Sequence, residues 1–173
     1  MRRIISMTMA VLVVGALHAW PVRASADTWV RGGGTGTFGA DLDADGDVDG
    51  SQFAFAVRIG ADGSARGRFV CLMAGRSDFL GLSLMSVNGP VLSGSIGAGT
   101  ATFSGTARIN LGGGEIIDGV AFQATVSPGG PGTGTLRLTV IGAFDGVPGD
   151  TTPGNGNYDL PDETVISGRI SIS

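Results

Sequence analysis

Hydrophobic and polar residues alternate with a period of two along most of this chain. Gln52 to Ile59 (QFAFAVRI) puts Phe53, Phe55, Val57 and Ile59 on one side and polar or small residues on the other. This is the pattern of a half-buried strand. Gly60-Ala61-Asp62-Gly63 reads as a turn, and Ala65 to Met73 as the returning strand. Phe79 to Val87 (FLGLSLMSV) predicts another strand, Asn88-Gly89 a hairpin turn, and Val91 to Ile96 the return. Thr100 to Leu111 alternates again, Gly112-Gly113-Gly114 interrupts it, and Ile117 to Val126 resumes. A turn at Pro128 to Gly132 leads into Thr133 to Ile141, and Thr164 to Ile172 closes the series. Short strands are expected around Thr28 to Arg31 and Thr35 to Ala40.

The spacing predicts an all-β chain of about nine or ten antiparallel strands. The connections are too short for parallel crossovers, so the strands should run mostly up and down as one β-barrel or β-sandwich. One stretch, Phe144 to Glu163, has no period over some twenty residues. Connections beyond about 12–15 residues tend to be functional or disordered, and this one carries Asp145, Asp150, Asp159, Asp162, Glu163 and the only tyrosine, Tyr158.

The N-terminus follows different rules. Arg2 and Arg3 precede an apolar run, Ile4 to Leu17, which is followed by Pro21 and by Ala24-Ser25-Ala26. A basic start, a short apolar run and a small-x-small tripeptide make a secretory leader. Residues 1–26 are therefore expected to be a signal peptide cleaved before Asp27. Residues 27–173 would be a single β-rich domain, secreted or placed in the periplasm or at the cell surface. A retained anchor is the alternative; after cleavage no membrane span is expected.

Cleavage would change the chemistry. The only histidine, His18, leaves with the leader, and all 11 basic residues of the chain are arginines. Loss of Arg2, Arg3 and Arg23 leaves 8 arginines against 15 acids, a net charge of −7. Such a balance argues against nucleic acid as a partner. Without histidine or lysine, Ser-His-Asp, Cys-His, Ser-Lys and Schiff-base chemistry lack their bases. Zinc and redox-metal sites normally need histidine or several cysteines; Cys71 is alone and reads as a buried hydrophobe. The chain is thus expected not to be an enzyme. A carboxylate-based hydrolase is the residual catalytic class, since Glu115 or Glu163 could pair with an aspartate.

One segment suggests a ligand. DLDADGDVDG, residues 41–50, places Asp41, Asp43 and Asp45 at positions one, three and five of a calcium loop, with Gly46 at the sharp turn. Asp47 at seven and Asp49 at nine follow, and Gln52 stands at twelve. Alternate side chains then converge on one centre, where hard carboxylate oxygens suit calcium. The stretch resembles the loops of EF-hand and dockerin modules. It departs from them at Gln52, where a bidentate acid is usual, and in the strand-like Phe53 to Ile59 where a helix should exit. A calcium site, a solvated hairpin loop and a cohesin-type partner all remain open.

A second resemblance covers most of residues 27–173. Gly36-Thr37-Phe38-Gly39, QFAFAV, ADGSARGRFVC, SVNGPVLSGSI, GTARIN, VAFQATV and PGTGTLRLTV together resemble a family of uncharacterised exported bacterial β-sheet proteins. Members often carry aspartates near the positions of Ser127 and Thr135, where this chain departs. The resemblance implies a sheet fold and brings no activity. Beside the calcium loop, two kinds of binding stay open. One is an extracellular module for a glycan or cell-surface partner; the other is a barrel with a pocket for a small apolar ligand. With Trp29 the only tryptophan after residue 26, an aromatic sugar platform would be small.

Overall fold

The computed structural model describes residues 27–42, 46, 48–79, 82–111 and 115–173, excepting the side chains of 74–79 and 82–84. The leader expected over 1–26 lies outside the described residues, as do Gly112 to Gly114.

The chain is all-β. In order the strands are β1 (Thr28–Thr37), β2 (Gly50–Ile59), β3 (Ser64–Phe79), β4 (Leu82–Ile96) and β5 (Ala101–Asn110), then β6 (Ile116–Ser127), β7 (Thr135–Ile141), β8 (Asn157–Asp159) and β9 (Glu163–Ile172). From β1 to β7 each strand pairs antiparallel with the next, and β9 pairs with both β7 and β1, so the sheet closes into a ring. β8 and β9 share one place beside β7: β8 pairs with Thr139–Ile141 and β9 with Thr135 and Leu136. Nine strands thus fill eight positions around a barrel, the size at which side chains just fill the interior.

Period-two alternation decides which residues fill it. Val30, Phe55, Val57, Phe69, Val87, Phe103, Ile109, Phe122, Val126, Leu138, Val140 and Val165 all face inward and are buried. Phenylalanines from different walls meet in the middle. Ring centroids lie 5.4 Å apart for Phe55 and Phe103, 5.8 Å for Phe69 and Phe103, and 5.2 Å for Phe69 and Phe122. Bulky rings need small residues opposite them. A Cβ on Gly32 would fall 2.3 Å from Phe55, so the glycine makes room for that ring. Outward positions carry Gln52, Arg58, Arg66, Arg68, Arg108, Gln123 and Arg137. This apolar-in, polar-out order is the reverse of a lipid-facing barrel. Among the described residues no helix is long and apolar enough to cross a membrane.

The structure corrects the expected hairpin at Asn88-Gly89, which lies inside β4. Gly89 is there for space: a Cβ would fall 2.0 Å from the Thr106 carbonyl oxygen on β5. Asn88 faces outward and accepts a bond from Arg68 Nε at 2.9 Å. The two short strands expected around residues 28–31 and 35–40 are one, β1, running through Gly32 to Gly34.

Strand order sorts the connections between the two ends of the barrel. Tight turns at 60–63, 97–100 and 128–134 lie at one end. The connections β1–β2, β3–β4, β5–β6 and β7–β8 lie at the other. Among the described acids only Asp27 and Asp62 sit at the tight-turn end.

Candidate functional site

The acidic end is formed chiefly by two segments, 38–49 and 142–162. In the first, Asp41 is exposed and accepts the Gly46 N–H at 2.9 Å, while Asp49 is buried and accepts the Leu42 N–H at 2.7 Å. The backbone of Asp49 bonds Ala40 and Phe38, which ties the base of the loop to the end of β1. Gln52 lies on β2, exposed, opposite Thr35 and Leu72. The chain leaves this loop as a strand, as its alternation indicated. Asp43, Asp45 and Asp47 lie outside the described residues.

The second segment folds around its own carboxylates. Asp145 accepts the N–H groups of Gly154 and Gly156 at 2.7 and 3.1 Å. Asp150 accepts those of Gly146, Thr152 and Asp159 at 2.8, 2.9 and 3.2 Å. The bonds from Gly146 and Thr152 hold the Asp150 carboxyl below the usual carboxylate range. Asp159 is buried and accepts from Thr139 Oγ1 and Asn155 Nδ2 at 2.7 and 2.6 Å. Tyr158 donates its hydroxyl to the Pro148 carbonyl at 3.1 Å. This closes Gly149 onto Leu42, whose Cβ lies 3.7 Å from where a Gly149 Cβ would stand. The two acidic segments are therefore neighbours.

Below them a polar pair is set into the apolar interior. Glu163 at the start of β9 is 2 % exposed and Ser51 on β2 is 4 % exposed. Ser51 donates its N–H to Glu163 Oε1 at 2.6 Å and its hydroxyl to Oε2 at 2.7 Å. β1 runs between these strands, and Gly36 is the residue crossed: a Cβ there would lie 2.5 Å from Glu163 Cγ. Burial pushes the Glu163 carboxyl above its ordinary value, against the lowering effect of the two Ser51 bonds. Buried Cys71, paired with Phe53 across β2–β3, has its thiol pushed up to about 12 by burial and then by the Glu163 charge, with a Ser51 bond acting the other way.

The Ser51–Glu163 pair escaped the pattern reading because both residues stand at strand ends. Phase alone would have revealed it: two steps back from inward Phe53 is Ser51, and two steps back from inward Val165 is Glu163. Among the described residues no three His, Cys, Asp or Glu side chains are arranged to hold a metal ion. Comparison with protein-family models, with curated proteins and with solved structures returns no match.

Proposed function

We propose that this chain is an exported, non-catalytic β-barrel module whose 41–52 loop binds calcium and braces the acidic end. The observation that carries this reading is the density of acids in the first segment, whose base Asp41 and Asp49 tie through the N–H groups of Gly46 and Leu42. Asp145, Asp150 and Asp159 are already spent on N–H and O–H donors of their own segment and its neighbours. The loop from Asp41 to Asp49 concentrates five carboxylates within nine residues, and like charges this close oppose a compact loop. A hard divalent cation relieves that repulsion. With Gln52 in place of a bidentate acid, the affinity is low.

The non-catalytic part rests on Glu163. Both of its oxygens are engaged by Ser51 inside the wall, so it is no general acid or base for a substrate outside. Thermal unfolding in calcium, in magnesium and in chelator tests the proposal. A site occupied only in the folded state adds about 1.4 kcal/mol at ten times Kd. That is a midpoint rise of about 3–5 °C at this size, lost in a D41N/D43N/D45N variant. An unchanged midpoint in millimolar calcium refutes it.

A further inference from the structure

The tight-turn half of the outer wall carries the opposite charge. Strand register places Trp29, Arg58 and Arg66 in one row across β1, β2 and β3, and Arg31, Ala56 and Arg68 in the next. All six are exposed. Arg58 and Arg66 stand directly opposite each other, and like charges in that position destabilise a sheet. One acid relieves them in part: Asp27 pairs with Arg58. Arg66 and Arg68 have no ion pair among the described residues. Arg31 stands 4.5 Å over the ring of Trp29, and the bond from Arg68 Nε to Asn88 orients that guanidinium. A groove of about 250 Å³ opens between Asp27, Arg58, Ser64 and Arg66.

We propose that this wall binds an acidic polysaccharide, with Arg66, Arg68 and, above the Trp29 ring, Arg31 clasping its carboxylates. The guanidinium fork matches a carboxylate with two parallel bonds. The patch spans three strands, about 10 Å, by one two-residue step, about 7 Å. That is room for two or three anionic groups on a chain lying flat. Nucleic acid fits less well. Its affinity comes from many phosphates or from several stacking rings, and this wall offers one ring beneath an arginine. The proposal uses none of the residues of the calcium reading, so either can fail alone.

The test is titration of the full chain, in a Trp20→Phe background, with polygalacturonate, neutral dextran, single-stranded DNA and phosphatidylglycerol vesicles, following Trp29 emission. Polygalacturonate is expected to shift the emission, and about fourfold more salt to weaken it by about tenfold. R31Q/R66Q/R68Q is expected to weaken it by about thirtyfold with a melting point no lower than the parent's, R137Q to leave it unchanged, and dextran to be inert. The proposal is overturned by no response to polygalacturonate, by equal binding in the triple variant, or by tighter binding of DNA or vesicles. It is equally overturned by concentration-dependent self-association that the triple variant abolishes, which would make a second copy's acidic end the occupant.

Discussion

Glu163 reaches Ser51 only because Gly36 leaves it a path, and that makes the three residues a measurable unit. In Gly36→Ala the new methyl would stand 2.5 Å from Glu163 Cγ and 2.7 Å from Cδ and Oε1. The side chain cannot swing aside without losing bonds of 2.6 and 2.7 Å. Overpacking of this kind costs about 1–3 kcal/mol. Glu163→Ala removes both bonds and leaves the Ser51 N–H and hydroxyl buried without their acceptor, at about 1–3 kcal/mol each. In the double variant the methyl enters space that the glutamate has vacated. G36A/E163A is therefore expected to be no less stable than E163A alone, a coupling of about 1–3 kcal/mol. Glu163→Gln keeps the shape, an acceptor for the N–H and a donor toward the hydroxyl, and is expected within about 1 kcal/mol of the parent.

The same residue fixes a pH dependence. Burial raises the folded-state carboxyl above 4.5, so the folded chain holds this proton more tightly than the unfolded chain. The stability it contributes is fully present below about pH 4.5 and declines as pH rises through the folded-state value. Asp150, lowered by its backbone bonds, gives the opposite slope in parent and variant alike and cancels in their difference. Urea unfolding from pH 4 to 8 should show the parent losing ground to E163Q as pH rises. Additive single variants, or a parent–E163Q difference that is flat with pH, would refute the geometry.

Phe103 touches Phe55 and Phe69 in the middle of the barrel, so Phe103→Ala is expected to cost about 3–5 kcal/mol in equilibrium unfolding; a cost near zero would mean a loosely filled interior. The buried Cys71 thiol, pushed up to about 12, is expected to resist a disulfide reagent at pH 8 and to react fully in urea; fast labelling of the native chain would contradict its placement. Asp159→Ala strips the acceptor of Thr139 and Asn155 and is expected to cost about 1–2 kcal/mol. Proteolysis within 142–156 should quicken as that segment loosens, and an unchanged rate would show that Asp159 does not hold it.

Local alternation made β2, β5, β6, β7 and β9 legible in the sequence, because one face of each is buried against the interior and the other is wet. The failures have physical causes. Asn88-Gly89 has the composition of a turn, but Gly89 is set by the approach of β5, a contact between residues far apart in sequence. Gly32 to Gly34 look like a break, yet the Phe55 ring at Gly32 and the Ser167 carbonyl at Gly34 occupy the space that a side chain would need. Ring closure depends on β9 meeting β1 and β7, which no local pattern encodes. The 144–163 stretch has no period from which its structure could be foreseen. Its order comes from carboxylates capping backbone N–H groups at spacings of two to eleven residues, and only its final turn returns to strand pairing as β8.

Where Phe55, Phe69, Phe103 and Phe122 meet, the middle of the barrel is occupied by side chains. The phenylalanines that meet at the centre occupy the space an apolar ligand would need, so the interior supplies stability and the surface is left to supply contacts. That surface is divided by charge. Acids lie in the long connections at one end, where most of the described ones serve as caps for backbone N–H groups. Arginines crowd the strands near the other end, where Arg58 faces Arg66 at a cost to the sheet. A carboxylate that caps a loop accounts for itself through the fold. Arg66 does not, because it faces Arg58, which already pairs with Asp27, and exchanging Arg66 for a neutral residue is expected to relieve that repulsion. Arg66 and Arg68 stand outside any ion pair among the described residues, and that makes the arginine wall the place to test for an anionic partner.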